Sequence, residues 1–209
     1  MKKICFIILT LLLGLNTFSQ AFEGEIIYSN SYKSKNPQMK DEQWAAYMGD
    51  TQTYTIKNGD YKSTMNGSLI QWQVYVNKDN KLYNKISQSE AAFWNDASVQ
   101  DDEVLKTELN KGVADILGYK CDELVLYCKS GVQKYYFNAK IGVDAKLFTK
   151  HKFGNWYDFV SRANALPLKS ILETEQFTLT SVATKVTPMK IDPKQLELPS
   201  GIKTEKSPY

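Results

Sequence analysis

Few side chains in this 209-residue chain are suited to covalent, acid–base or metal chemistry. There is one histidine, His151, and there are three cysteines, Cys5, Cys121 and Cys128. A Ser-His-Asp arrangement would need His151 as its base, and no Gly-x-Ser-x-Gly turn presents a serine to it. His151 stands between Lys150 and Lys152 in a polar stretch, where a solvated imidazole is expected. A Cys–His pair from Cys121 or Cys128 is chemically conceivable, but no spacing marks it. Asp101, Asp102 and Glu103 form a charge run, the pattern of a solvated face or a helix start. One histidine and two separated cysteines do not make a zinc ligand set, and no glycine-rich loop is present to cradle phosphate. These residues predict no catalytic constellation, no metal and no cofactor, and therefore a protein that is not an enzyme.

The first 21 residues predict a secretory leader. Lys2 and Lys3 give a positive start, Ile4 to Leu15 is apolar, and Ser19 and Ala21 are the small residues that permit cleavage after Ala21. The apolar run is too short to span a bilayer, which takes about 20 residues. A lipoprotein leader would carry a cysteine just after that run, whereas Cys5 lies near its start. The expected product is 22–209, periplasmic or secreted, without a lipid anchor or an integral span.

Removing Lys2 and Lys3 takes the 26 basic residues to 24, against 23 acidic ones. Arginine, the preferred fork for phosphate and base edges, occurs once, at Arg162. Nucleic acid is therefore an unexpected partner. Export permits disulfides, yet Cys121 and Cys128 flank what reads as one uninterrupted strand. Seven strand steps of about 3.3 Å hold their Cα atoms about 23 Å apart, where a disulfide needs about 4.4–6.8 Å. Two semi-buried structural thiols are the expected state.

The rest of the chain alternates in the manner of short strands separated by turns. Strands are expected over 22–32, 51–57, 61–65, 69–76, 81–86, 119–128 and 132–138. Residues 171–187 are long enough for one bent strand or two. Asn58-Gly59 and Asn66-Gly67 predict tight hairpins. In 69–76, Ile70, Trp72, Val74 and Val76 share one face, and Gln71, Gln73 and Tyr75 share the other. Helices are expected over 37–48, with Gly49 as the stop, and over 155–164, with Asn155 as the cap. Residues 90–108 read equally as helix or strand. The tail from about 190, rich in Pro and Lys, is expected to run over the surface. The sum is one β-rich domain of α+β class: a mostly antiparallel sheet with two or three covering amphipathic helices.

Aromatic residues are the feature left over. Trp44, Tyr47, Trp156 and Phe159, with Met48, fall at helical spacing and need a sheet face to cover. A curved sheet with helices over its concave side encloses an apolar pocket. The candidate lining is Trp72 and Val74 from the sheet, with Trp44, Met48, Trp156 and Phe159 from the helices.

Several short stretches carry a resemblance. They are Phe22-Glu23-Gly24-Glu25-Ile26-Ile27-Tyr28, Ile116-Leu117-Gly118-Tyr119-Lys120-Cys121, Ala165-Leu166-Pro167-Leu168, residues 180–186 and Leu198-Pro199-Ser200-Gly201. In this order they resemble an uncharacterised family of exported Gram-negative envelope proteins, a domain of unknown function. That family is similar in design to the periplasmic lipoprotein-localisation factors. The resemblance implies a strongly curved half-barrel sheet closed by helices, an extracytoplasmic compartment and, by analogy alone, a lipid or other hydrophobic ligand. It brings no catalytic residues with it. The single Arg162 leaves little to imitate arginine gating of such a cavity. Two expectations stand side by side: a non-enzymatic binder of a hydrophobic ligand, and a packed structural or protein-interaction component of the envelope.

Overall fold

A computed structural model describes residues 21–208. The predicted leader, apart from Ala21, lies outside the described residues.

Twelve strands form one sheet. In chain order they are β1 (Gly24–Ser34), β2 (Thr51–Lys57), β3 (Asp60–Met65), β4 (Ile70–Val76), β5 (Lys81–Ile86), β6 (Ala92–Asp96), β7 (Val104–Ile116), β8 (Tyr119–Cys128), β9 (Val132–Gly142), β10 (Ala165–Glu173), β11 (Phe177–Pro188) and β12 (Thr204–Lys206). Their order across the sheet is β12-β6-β5-β4-β3-β2-β1-β11-β10-β9-β8-β7. Every pairing is antiparallel except that of β12 with β6. Two α-helices are added, α1 (Asp41–Met48) and α2 (Trp156–Ala163).

The connection from β6 to β7 forces this sheet to curve. Ten strand spacings of about 4.8 Å separate those two strands, about 48 Å if the sheet were flat. The eight residue steps from Asp96 to Val104 reach at most about 29 Å. The sheet must bend until its two ends approach, yet β7 and β12 remain unpaired edges and the sheet does not close. Strand alternation then assigns the concave face. On β1 it receives Ile26, Tyr28, Asn30 and Tyr32, all buried. Paired residues carry the same parity outward, through Tyr54, Tyr61 and Tyr75 on one side and Ser181, Ser170 and Tyr135 on the other.

Most expected elements are present, with instructive departures. The region 171–187 belongs to two strands, β10 and β11, turned by Thr174, whose hydroxyl accepts from the Gln176 and Phe177 N–H groups. The ambiguous 90–108 holds β6 and the start of β7, and no helix. Asn155 precedes α2 but does not cap it with its side chain. Its amide instead donates to Cys128 Sγ at 3.3 Å and accepts from Gln100 at 3.3 Å. The C-terminal segment does not simply lie over the surface. Ile191 and Leu196 are buried, the Ile191 N–H donates to Glu23 at 2.7 Å, and β12 pairs with β6. Lys57 joins them, donating to the Ile191 carbonyl at 2.6 Å and pairing with Glu23 at 3.1 Å.

Helix α1 is tied to the β3–β4 turn by backbone hydrogen bonds. The N–H groups of Ser68 and Leu69 donate to the carbonyls of Ala46 and Tyr47 at 3.0 and 2.9 Å. This approach requires Gly67, because a Cβ there would collide with the backbone of Met48 and Gly49. Gly67→Ala is therefore expected to cost about 1–3 kcal/mol, as overpacking does. A urea midpoint equal to the parent's would refute the contact.

Candidate functional site

The concave face is not filled. A cavity of about 370 Å³ opens over its centre, bounded by β1, β2, β10 and β11 below and by residues 151–156 above. That volume lies at the lower end of the usual range for ligand pockets. Among the described residues the wall carries no Lys, Arg, Asp or Glu. It is amphipathic nonetheless, since apolar Met48, Met65, Ile70, Leu82, Leu172 and Leu179 alternate with tyrosines and amides.

Most polar groups of the wall are paired within the protein. The Tyr28 hydroxyl donates to the Pro167 carbonyl at 2.7 Å, and that of Tyr32 donates to the Gly49 carbonyl at 3.0 Å. Ser181 donates to Asn30 Oδ1 at 2.6 Å. Gln73 donates to Asn84 at 2.7 Å, and Gln52 to the Ser63 hydroxyl at 2.5 Å. Burial pushes the Tyr28 and Tyr54 hydroxyls far above the usual phenol range, and Tyr32, helped by Asp50, rises to about 12. They act as neutral donors and acceptors at any ordinary pH.

A chain of rings supports the roof. His151 lies 4.2 Å from Tyr75 and 5.9 Å from Tyr61, nearly parallel to the latter. Trp156 lies 6.1 Å from Tyr61, 6.3 Å from His151 and 5.7 Å from Phe159. His151 Nε2 is 2.8 Å from the Tyr61 hydroxyl. His151 is therefore not the solvated loop residue expected from its lysine neighbours. It is 2% exposed while Lys150 and Lys152 are exposed, and burial pushes its pKa down to about 4. The segment keeps its lysines in water while the imidazole turns inward, against the rings of Tyr61, Tyr75 and Trp156.

The six sequence-predicted lining residues separate into three places. Met48, at the end of α1, and Trp156, at the start of α2, line the cavity. Trp44 is buried beside it, its ring 4.6 Å from Phe177 and its indole N–H donating to Ser34 at 3.2 Å. Phe159 is fully buried below Trp156, 4.4 Å from Tyr135. Trp72 and Val74 lie on the opposite face, since Gln73 and Tyr75 occupy the concave side. A register shift between Ile70 and Trp72 turns Ile70 alone inward. Trp72 is half-buried with the Lys62 ammonium 5.9 Å above its ring, and Val74 is fully buried but outside the main core.

The residues missed were His151, Tyr54, Tyr28, Tyr32, Asn30 and Ser181. The alternation of Ile26, Tyr28, Asn30 and Tyr32 held the signal for three of them. Cys121 and Cys128 are both unbridged, as expected, but fully rather than partly buried, and burial raises both thiols, Cys128 to about 11. Neither is an activated nucleophile. Among the described residues no cluster of His, Cys, Asp and Glu could hold a metal ion, and no helix is long and apolar enough to cross a membrane.

No protein-family model matches the chain, and no curated protein does. Among solved structures, LprF from Mycobacterium bovis aligns over 81% of this chain and 88% of its own, at 8% identity and a TM-score of 0.30. At that score the likeness carries no argument about fold or function.

Proposed function

We propose that this is an exported, non-enzymatic protein that holds a lipid or other hydrophobic molecule in the concavity of a half-barrel sheet. One observation carries the reading: an uncharged cavity of about 370 Å³, walled by methionine, leucine, isoleucine and aromatic rings, at the centre of the concave face. Each CH₂ of a ligand buried there contributes about 0.8 kcal/mol, so a short alkyl chain binds usefully. Absence of catalysis is supported by the state of the reactive groups. The Nε2 of His151 is held by Tyr61, both thiols are buried, and among the described residues no carboxylate lines the wall.

The test is to express the full precursor in a Gram-negative host and purify the mature protein from the periplasm without detergent. Native and denatured masses are then compared, and the organic extract is analysed. A stoichiometric mass difference recovered as lipid is expected, and Trp72→Ala, on the outer face, should leave it unchanged. A bare chain, with no uptake of added alkyl ligand, sinks the reading.

A second reading, a protein-interaction component of the envelope, is favoured by β7. This edge strand exposes Leu105, Leu109 and Val113, with Leu117 beyond its end. A protein co-purifying at fixed stoichiometry with no extractable lipid would favour it over the carrier.

A further inference from the structure

β7 is the longest strand of the sheet, at 13 residues, and it forms one of the two unpaired edges. Among the described residues its backbone makes no backbone hydrogen bond outside the ladder with β8, so its outer row of N–H and C=O groups is open to a further strand. Long free edges recruit such a strand unless bulges or charges block them. β7 carries both devices. Register shifts against β8 interrupt it between Val104 and Lys106 and between Asn110 and Ala114, where Gly112 sits at φ +61°. Between the shifts Lys106 to Asn110 stays regular, with Leu105 and Leu109 exposed at 65% and 48%. The opposite edge, β12, has only three residues.

The charges on this stretch obstruct an arbitrary strand but fit a second copy of the chain. A two-fold axis normal to the sheet pairs the copies antiparallel and keeps every side chain on its own face. With the axis at Thr107, Lys106 meets Glu108 of the second copy, Leu105 meets its Leu109, and Glu103 meets its Lys111. No like charges face each other. An axis at Lys106 or at Glu108 sets that charge against itself. An axis at Leu109 sets Glu103 against Asp115 and carries the ladder across the shift at Gly112. The neighbours on each face support the Thr107 register. Lys106 and Glu108 stand opposite Tyr127 and Val125 and already pair with each other at 2.6 Å, while Glu108 accepts from the Tyr127 hydroxyl at 2.9 Å. Pairing with a copy closes these into a ring of four alternating charges around the axis. On the other face Leu109 stands opposite buried Leu124, and Leu105 of the copy extends that apolar row.

We infer that two copies of this protein pair through β7, antiparallel about a two-fold axis at Thr107, so that one sheet runs on into the other. The pairing goes beyond the hydrophobic-ligand reading and does not depend on it, because no residue of β7 lines the cavity and each copy keeps its own hollow. Its attraction comes from the peptide hydrogen bonds of a short ladder, and from cross-strand ion pairs and leucine contacts that symmetry makes twice.

Sedimentation equilibrium of the purified mature protein reads the association, and a dimer with a dissociation constant of about 10 μM or tighter is expected. Lys106→Glu and Glu108→Lys each set like charges against each other at two symmetric places, and each should weaken the dimer about tenfold or more. Both side chains are solvent-facing, so the melting temperature should stay within about 2 °C of the parent's. Mixed in equal amounts, the two variants should associate as tightly as the parent, because the lysines of one then face the glutamates of the other. Thr107→Cys sets two thiols across the axis and should give an oxidised dimer, whereas Val113→Cys should not; the native Cys121 and Cys128 are buried and do not interfere. A parent that stays monomeric at about 100 μM overturns the inference. So does a dimer that is indifferent to both charge variants and does not cross-link at position 107. A protein of different sequence seated on β7 overturns it too, and favours the envelope-partner reading instead.

Discussion

Acidification from pH 7 to pH 4 will remove about 3 kcal/mol of folding stability through His151 alone. An unfolded histidine titrates near 6.5, and burial lowers the folded value to about 4. Because the folded value is depressed, the unfolded chain takes up its proton first, and the contribution is complete only above about pH 6.5. It drains away as the pH falls towards the folded value, over about 2.5 units worth about 1.4 kcal/mol each. The cause is local: the rings of Tyr61, Tyr75 and Trp156 lie around the imidazole, and among the described residues no carboxylate lines the cavity wall to pair with its cation. Carboxylates elsewhere also titrate in this range, so the measurement is a difference. Urea midpoints of the parent and of His151→Phe are followed from pH 7 to pH 4. The parent's advantage should shrink by about 3 kcal/mol. A gap that stays constant would mean that the imidazole is not buried as a neutral group.

Phe159→Ala will be the most damaging single truncation in the roof, costing about 3–5 kcal/mol and lowering the melting temperature by about 10 °C or more in a domain of this size. Phe159 stacks on Tyr135 at 4.4 Å, meets Phe137 edge-on at 6.0 Å and supports Trp156 at 5.7 Å. It is fully buried and does not line the cavity. Its loss leaves a hole beneath Trp156, so the roof sags into space the ring had filled. A thermal melt decides the matter. A loss under 1 kcal/mol would mean that the ring faces open space and should be counted with the ligand wall.

These two residues show where the sequence was readable and where it was not. Phe159 on an amphipathic helix was legible as a helical residue needing a sheet to cover, but helical spacing does not separate the layer that touches a ligand from the layer beneath it. In β4 the alternation was read correctly from Trp72 onward, but the register shift put Ile70 on the other face, and the inner face was misidentified. Trp72 and Val74 made the more apolar face, while Gln73 and Tyr75 form the wall of the cavity. The outer face of β2 and β3 is covered by the turn at Pro193–Leu196, with Ile191 and Leu196 buried, an anchoring that no local pattern announces. His151 was hidden by its neighbours, because adjacent residues in an irregular turn point in unrelated directions. The curvature was legible only in outline. Its cause, a short link between strands at distant positions in the sheet, exists only once the strand order is known.

That strand order sets a timetable for folding. β1 to β6 form one run of strands that pair in chain order and β7 to β11 another, so each run can pair without the other. The two runs meet only where residues 24–34 pair with 177–188. Joining them closes a loop of nearly the whole domain, the kind of long-range pairing that slows folding most. Until it forms, the floor of the cavity does not exist, because Tyr28, Asn30 and Tyr32 lie on one side of that seam and Leu179 and Ser181 on the other. A chain that lacks β11 can therefore pair β1 to β6 and β7 to β10 and still have no cavity floor, and the cavity appears in a single late step.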